Sequence, residues 1–380
     1  MKHISYSKQT IDDSDIQAVT EVLRSDFVTQ GPQITAFEEA LKRYLNVKHA
    51  IAVSNGTSAL HLAYLALNLK DYEVFTTPIT FAATSNMLHE MGAHIHFTDV
   101  DPITGIMDTD SLETHLEQTD PLKPKAIVPV SLQGIPADLP TIYKLAKRYN
   151  AKVVEDAAHS LGGEYTYSGE KYKSASCAHS DLATLSFHPL KTICCGEGGA
   201  VTTNDDHLAE QIRLLRNHGL KSSPNTYMRE QVAWGFNYRM TDMQAALGVS
   251  QLKRISFFLG RRRSLAHRYA EILGHKPYCD HIQITPLCDG SSYHLFVIHF
   301  KHLQARDFAY RFLKENGIET QVHYVPLYKF ELYKEMLGDM HLPGAEAYYE
   351  GCLSIPIYPN LTQEDQDYVL EILSQCCQHL

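Results

Sequence analysis

One lysine, Lys191, ends the segment Thr184 to Lys191 (TLSFHPLK) and precedes the glycine-rich turn Gly196 to Gly199. An isolated lysine is usually a solvated surface charge. Between an apolar strand and a glycine turn, however, the amine can be desolvated, which lowers its pKa and suits Schiff-base chemistry. The turn lacks the G-x-G-x-x-G spacing and precedes a strand, so it does not indicate a nicotinamide cofactor.

Polar or aromatic residues follow three other apolar runs. Asp156 follows Val153 to Glu155, where an aspartate commonly caps a helix or forms a turn and can also bind a ligand. The segment Ser54 to Leu60 (SNGTSAL) opens a predicted helix and directs backbone N–H groups toward one point, as a phosphate site or an ordinary capped helix would. Phe81 follows another strand, where it either joins the core or covers a flat ring.

A phosphate cradle, an aromatic cover, an acid and a lysine at successive strand ends are the parts that pyridoxal phosphate requires. The acid keeps the pyridine nitrogen protonated, so that the ring withdraws electrons. The lysine forms a Schiff base with the cofactor and then moves the proton between substrate carbon and cofactor. The four motifs together therefore predict a pyridoxal-phosphate enzyme.

The elements that position these motifs follow a regular alternation. Between about residues 34 and 220, segments of helical periodicity separate short apolar runs at residues 50–53, 73–77, 94–99, 126–130, 152–155, 184–187 and 200–203. This rhythm predicts an α/β fold with a largely parallel sheet covered on both faces. In such sheets the chemistry collects at the carboxyl ends of the strands.

The pattern of apolar, polar and charged residues changes near residue 250. A basic segment, Lys253 to Arg263, leads into alternating stretches and further helices. Because 380 residues exceed one ordinary core, we predict two domains. The first is a large cofactor-binding domain with an N-terminal arm (1–250), and the second is a small C-terminal α/β domain (251–380).

Composition restricts the partners. The chain is 44% hydrophobic and 21% charged, as is usual for globular proteins, and its net charge of -10 includes no Lys/Arg block. We therefore expect neither nucleic-acid binding nor, since no long apolar run occurs, export or membrane spanning. The expected location is the cytoplasm.

The cysteines and histidines do not suggest a metal. The eight cysteines include no C-x-x-C pair, so reduced thiols are the better interpretation. His94 and His96 could share a strand face, but no third ligand has suitable spacing. We expect no metal site.

The chain resembles the DegT-type sugar aminotransferases of the fold type I pyridoxal-phosphate superfamily. The resemblance runs nearly end to end and rests on eleven motifs in order, which are FVTQGP (27–32), FEEAL (37–41), SNGTSAL (54–60), TPITFAAT (77–84), EDAAHSLG (155–162), SFHPLK (186–191), EGGAVTTND (197–205), LLRNHG (214–219), GFNYRMTDMQAALG (235–248), QVHYVPLY (321–328) and LSIPIYPNLT (353–362).

The resemblance implies a mostly parallel seven-stranded sheet, a homodimer with shared active sites, and pyridoxal 5'-phosphate as the cofactor. It implies that Lys191 forms the Schiff base, that Asp156 pairs with the pyridine nitrogen, and that His159 and Phe81 flank the ring. It assigns the cofactor phosphate to a further set of residues, namely Gly56, Thr57, Ser186 and, from the second subunit, Asn237.

Within the family, both ends of the chain are most similar to transaminases of pseudaminic-acid synthesis. These enzymes use glutamate to aminate carbon 4 of a UDP-linked 4-keto-6-deoxy-N-acetyl sugar. The similarity implies that the sugar nucleotide contacts Tyr6, Asp26, Phe27, Val28, Thr29, Asn237, Gln321, Val322, His323 and Tyr324.

Several alternatives stay open at this point. Related enzymes aminate other UDP-linked or dTDP-linked keto-sugars, and spacing does not separate them. Related dehydratases carry histidine in place of Lys191, and a non-catalytic regulatory relative would have lost the lysine, the acid or the phosphate cradle. A nicotinamide oxidoreductase would need a glycine-rich turn opening the first crossover helix.

Overall fold

The structure, a computed structural model, describes residues 2–222 and 227–380. Its strands are β1 (His49–Val53), β2 (Glu73–Thr76), β3 (His94–Phe97), β4 (Lys125–Val128), β5 (Ala151–Asp156), β6 (Glu164–Tyr167), β7 (Glu170–Lys173), β8 (Leu182–Ser186), β9 (Gly199–Thr203), β10 (Leu220–Ser222), β11 (Arg229–Gln231), β12 (Ile282–Ile284), β13 (Phe296–Phe300) and β14 (Cys352–Ile355).

Helices connect and cover these strands. They are α1 (Asp13–Leu23), α2 (Pro32–Leu45), α3 (Gly56–Leu67), α4 (Ala83–Glu90), α5 (Thr109–Gln118), α6 (Leu139–Arg148), α7 (Asp206–Arg216), α8 (Asp242–Lys253), α9 (Ile255–Leu273), α10 (Leu303–Glu315), α11 (Glu331–Leu337), α12 (Pro343–Gly351) and α13 (Gln363–Gln378). Short 3-10 turns lie at Leu132–Gly134, Tyr278–Asp280 and Leu327–Lys329.

The main sheet has seven strands in the order β1-β9-β8-β5-β4-β2-β3. The pairs β8–β5, β5–β4, β4–β2 and β2–β3 are parallel, whereas β9 runs antiparallel to both β1 and β8. The prediction of a mostly parallel seven-stranded sheet is confirmed. Because β5 and β8 are parallel neighbours, residues near and beyond their carboxyl ends emerge side by side at one edge.

Both faces of the sheet are buried, which is why the strand sequences are almost continuously apolar. In β1, Ile51 and Val53 join one core cluster while Ala50 and Ala52 join another. Helix α3 packs in the first of these cores, and α2 lies over the second. The sheet is thus the middle layer of a three-layer α/β arrangement.

A three-stranded antiparallel sheet, β12-β13-β14, forms the centre of the C-terminal part. The N-terminal arm packs into this part, since Ile4 is buried in its core and its N–H donates to the Gly317 carbonyl at 2.8 Å. Residue 250 lies within α8, and the division at that position stays a prediction. Over the described ranges, no helix is both long and apolar enough to cross a bilayer.

Candidate active site

A cavity of about 740 Å³ opens at the carboxyl ends of β5 and β8, between the main sheet and the C-terminal part. The predicted site residues that line it are Tyr6, Gly56, Thr57, Phe81, Asp156, His159, Ser186, Lys191, Gln321, His323 and Tyr324. Chain topology therefore brings together residues that are separated by more than 300 positions.

Lys191 lies in the loop that leaves β8. The loop is folded back on itself, because the Lys191 N–H donates to the His188 carbonyl and the Cys195 N–H donates to the Phe187 carbonyl, each at 2.9 Å. Burial lowers the pKa of the Lys191 amine to about 8, and the Asp156 carboxylate opposes this shift. The unprotonated, nucleophilic amine is consequently still a minor form near neutral pH, but it is far more populated than in an ordinary lysine.

Asp156 ends β5 and is only 4% exposed. Its Oδ2 accepts a hydrogen bond from Thr84 Oγ1 at 2.8 Å, and its Oδ1 accepts one from the Ala158 N–H at 3.1 Å. Burial raises the pKa of the Asp156 carboxyl, whereas these two donors and Lys191 lower it. The carboxylate is therefore held in place with few partners, and a cation in the cavity would stabilise its charge.

The first turn of α3 forms a narrow cradle against the end of β8. Asn55 caps the helix by accepting from the Ser58 N–H at 2.8 Å. A Cβ added to Gly56 would lie 3.0 Å from the Cβ of Ser186, so glycine keeps the space between helix and strand open. N–H groups of a first helical turn have no partner inside the helix, and with the hydroxyls of Thr57 and Ser186 they suit a phosphate.

Several aromatic rings that are tilted against one another line another part of the cavity. The His159 and His294 ring centroids are 4.3 Å apart, and His159 Nε2 lies 3.3 Å from the Tyr324 hydroxyl. Burial holds the pKa of both histidines well below the usual range. Phe81, in contrast, is 63% exposed at the cavity edge, with its ring 6.3 Å from that of Tyr324.

The N-terminal arm closes one end of the cavity. The Tyr6 carbonyl accepts from the Ile357 N–H at 3.1 Å, and the Tyr6 ring lies 5.6 Å from that of His323. The Nδ1 of His323 is 2.8 Å from Ser354 Oγ, and burial lowers the pKa of His323 to about 3. This end of the cavity is therefore polar but uncharged.

Comparison with known proteins agrees with this geometry. Residues 9–374 match the model of the DegT/DnrJ/EryC1/StrS aminotransferase family. The chain belongs to this family. It is an aminotransferase, and like other members it depends on pyridoxal phosphate.

Two curated relatives cover nearly the full chain. Both are named UDP-4-amino-4,6-dideoxy-N-acetyl-beta-L-altrosamine transaminase. The one from Campylobacter jejuni subsp. jejuni serotype O:23/36 (strain 81-176) is 38% identical over 97% of this chain and 96% of its own length. The one from Helicobacter pylori (strain ATCC 700392 / 26695) is 36% identical over 96% and 95%.

Solved structures of family members have the same fold. Helicobacter pylori PseC, an aminotransferase involved in the biosynthesis of pseudoaminic acid, superposes with a TM-score of 0.93 at 33% identity, with all of both chains covered. The putative sugar aminotransferase Spr1654 from Streptococcus pneumoniae, in its PLP form, superposes with a TM-score of 0.90 at 27% identity, covering 100% of this chain and 99% of that one.

The residues of this DegT-family chain fit the family cofactor. His159 Nδ1 is buried and has no hydrogen-bond partner among the described residues, so it can face a bound ring. The Gly56 cradle supplies donors for a phosphate, and the Asp156 carboxylate supplies an acceptor for a protonated nitrogen. Lys191 supplies the amine that reacts with an aldehyde.

Six predicted contact residues do not line the cavity of the single chain, namely Asp26, Phe27, Val28, Thr29, Asn237 and Val322. The loop around Phe27 lies at the surface, and Phe27 is 56% exposed. Asn237 forms an antiparallel bridge with Asn217 in its own chain, and Val322 packs partly buried against both main cores. The roles of these six residues stay predictions.

The motif analysis overlooked three residues of the site. Thr84 follows Thr80 by four positions, and their hydroxyls lie 2.8 Å apart, so the TPITFAAT motif contained a usable signal. Tyr238 lines the cavity, and its hydroxyl is 3.1 Å from His61 Nδ1. His294 comes from the C-terminal part, and no spacing in the sequence connects it with His159.

Proposed function

We propose that this aminotransferase transfers the amino group of glutamate to carbon 4 of a UDP-linked 4-keto-6-deoxy-N-acetyl hexose. The observation that carries the proposal is the convergence of Lys191, Asp156 and the Gly56 cradle on a large cavity that is also lined by the polar side chains of Tyr6, Gln321, His323 and Tyr324. Two curated relatives named UDP-4-amino-4,6-dideoxy-N-acetyl-beta-L-altrosamine transaminase are 38% and 36% identical to this chain over nearly its whole length.

The cavity lining supports a sugar nucleotide rather than a simple 2-oxo acid as acceptor. Tyr6, Gln321, His323 and Tyr324 provide hydroxyl, amide and ring N–H groups, which suit sugar hydroxyls and an N-acetyl group. A volume of about 740 Å³ accommodates a hexose and part of a nucleotide.

Pyridoxal phosphate, when bound, supplies an aldehyde for the donor amine and a ring that withdraws electrons from the reacting carbon. Lys191 Nζ has two tasks in this chemistry, to hold the cofactor and to move a proton. Its lowered pKa, about 8, allows Nζ to accept the proton of the donor α-carbon and to release it again near neutral pH.

The neighbouring groups hold the reacting parts in position. Asp156, fixed by Thr84 and by the Ala158 N–H, would keep a proton on the pyridine nitrogen through charge attraction in a buried site. His159, fixed by Tyr324 and packed on His294, would stack on one ring face because its own pKa is too low for it to be charged. Phe81 would cover the opening.

We also propose a cytoplasmic homodimer in which Asn237 reaches the cofactor phosphate of the partner. Phe27 and Val28 are 56% and 43% exposed, and Trp234 is 89% exposed, so apolar surface is available for an interface. A position on such an interface would explain why Asp26 to Thr29 and Asn237 lie outside the cavity of their own chain. The eight cysteines are all free, as is usual in a reducing compartment.

The test is a comparison of amino acceptors with purified enzyme. The enzyme is first converted to its pyridoxamine form with glutamate, and then receives UDP-linked 4-keto sugars, dTDP-linked keto sugars or 2-oxo acids. A single turnover is monitored through the return of the near-violet absorption of the lysine-bound cofactor. We expect the UDP-linked 4-keto-6-deoxy-N-acetyl hexose to react fastest. A faster reaction with a dTDP sugar or a 2-oxo acid would refute the substrate assignment.

A further inference from the structure

The basic groups of the cavity are few. Over the described residues, the lining contains Lys191 and four histidines as its only basic side chains, and these histidines are His159, His188, His294 and His323. An amino-acid donor carries at least one carboxylate, and glutamate carries two. Since Lys191 has to reach the reacting carbon, the carboxylates need another partner.

Three of the four histidines are poor partners for an anion. Burial lowers the pKa of His159 and His294 well below the usual range and that of His323 to about 3, so all three rings are neutral. Two of them are also engaged with neighbours, His159 with the Tyr324 hydroxyl at 3.3 Å and His323 with Ser354 Oγ at 2.8 Å. Burial lowers the pKa of His188 as well, but His188 differs from these three in being exposed.

His188 is exposed and lies three positions before Lys191 in the loop that leaves β8. Its Nδ1 accepts from the Leu190 N–H at 3.4 Å, so the neutral ring carries its proton on Nε2. Burial lowers the pKa of His188, the Glu197 carboxylate opposes this shift, and Lys191 adds to it. Nε2 is thus available as a donor in either protonation state.

We infer that His188 Nε2–H binds a carboxylate of the amino-acid donor. This inference rests on the proposed function and specifies how the same cavity binds its second substrate. The donor is small, and its carboxylates stay within a few bonds of the carbon that Lys191 must reach. The diphosphate of a sugar nucleotide, in contrast, is separated from the reacting carbon by the hexose ring, so a residue this close to Lys191 suits the donor better.

The experiment measures the two half-reactions separately in the holoenzyme. Loss of the near-violet absorption with glutamate or glutamine gives the saturation of the donor step, and its return with the UDP-linked 4-keto sugar gives the saturation of the acceptor step. The variants are His188→Phe, which removes the donor group, and His188→Gln, which retains an N–H. His275→Phe changes an exposed histidine outside the cavity lining and is the matched control.

For His188→Phe we expect the half-saturating glutamate concentration to rise about tenfold or more, the fold-change expected for the loss of a hydrogen bond to a charged group. The maximal rate of the donor step and the half-saturating sugar concentration should stay within about threefold of wild type. A change of that size is smaller than the change expected from losing a hydrogen bond to a charged group. His188→Gln should lie between wild type and His188→Phe. Equal weakening with glutamine would identify the α-carboxylate as the ligand, whereas weakening with glutamate alone would identify the side-chain carboxylate.

Two results would overturn the inference. One is unchanged saturation by glutamate in both His188 variants, and the other is an increase in the half-saturating sugar concentration instead. If His188→Phe does not retain cofactor, His188→Gln alone decides, because it conserves polarity and size. A wild-type enzyme that does not react with glutamate would refute the proposed function itself, before any variant is compared.

Discussion

The hydroxyl of Thr84 provides a test of how the protein controls the charge of Asp156. Its Oγ1 donates to Asp156 Oδ2 at 2.8 Å, in a site where Thr84 is 1% and Asp156 is 4% exposed. The substitution Thr84→Val keeps the shape of the side chain and removes this donor, together with the 2.8 Å contact between the Thr84 and Thr80 hydroxyls. Burial already raises the pKa of Asp156, and the lost hydrogen bond would raise it further.

The size of the effect follows from the type of bond. A hydrogen bond to a charged group contributes about 1.5–3 kcal/mol, and one pKa unit corresponds to about 1.4 kcal/mol. Removing the Thr84 donor should therefore raise the pKa of Asp156 by about one to two units. In the proposed role Asp156 acts as a carboxylate, so its protonation at higher pH should move the acidic limb of kcat/KM to higher pH by a similar amount.

The assay is a pH profile of kcat/KM for wild type, Thr84→Val and the control Thr98→Val. Thr98 is fully buried, and its Oγ1 has no hydrogen-bond partner among the described residues, so the control removes a buried hydroxyl without removing a bond. We expect its acidic limb to coincide with that of wild type. A Thr84→Val profile that also coincides with wild type would show that Thr84 does not control the ionisation of Asp156.

Three further substitutions test the remaining assignments. Lys191→Ala should abolish transamination while circular dichroism shows an intact fold. Turnover within about tenfold of wild type would refute the role of Lys191, because loss of the nucleophile should reduce turnover far more than that. Asp156→Asn should retain the cofactor, measured by absorption, but lose most of its activity, because a neutral amide does not stabilise a protonated pyridine nitrogen; normal turnover would make Asp156 a structural residue. An inactive Lys191→Ala chain mixed with an inactive Asn237→Ala chain should regain activity in hybrid dimers, since one of the two shared sites would be complete. Failure despite demonstrated subunit exchange would place Asn237 in the site of its own chain.

Residues that follow strands of the main sheet could be placed from the sequence. Lys191, Asp156 and Gly56 follow apolar runs, and the carboxyl ends of parallel strands necessarily share one edge. The position of His294 could not be predicted in this way, because its contact with His159 depends on how the C-terminal part packs over the sheet. A single sequence contains the local period of each element but not the relative orientation of separate cores.

The surface segments show a second limit of sequence-based prediction, which concerns contacts between chains. Motif resemblance placed Asp26 to Thr29 and Asn237 in the site, yet in one chain these residues lie outside the cavity lining. A motif indicates that its residues belong to the same kind of site, but it does not indicate which chain of a dimer supplies them. The hybrid-dimer experiment supplies that information, because it depends on the pairing of chains.

The half-buried side chain of Lys191 should also lower the stability of the cofactor-free protein. The folded protein releases the Lys191 proton above about pH 8, whereas an ordinary lysine, as in the unfolded chain, keeps it up to about pH 10.5. Between these values the unfolded state binds more protons, so this group makes the folded state more stable as pH rises, and its full cost is present below pH 8. Lys191→Met removes the charge while retaining much of the apolar side chain.

We expect cofactor-free Lys191→Met to unfold at a higher temperature than cofactor-free wild type at pH 7, with a smaller difference at pH 10. The loss of the attraction between Lys191 and Asp156 opposes the gain, but burial is the larger contribution to the lowered pKa, so the net change should be stabilising. Lys171→Met, at an exposed position of β7, controls for the removal of a lysine in general. If Lys191→Met lowered the unfolding temperature at pH 7, or if its difference from wild type were the same at both pH values, the amine would not be a source of strain in the empty site, and its reactivity would require another explanation.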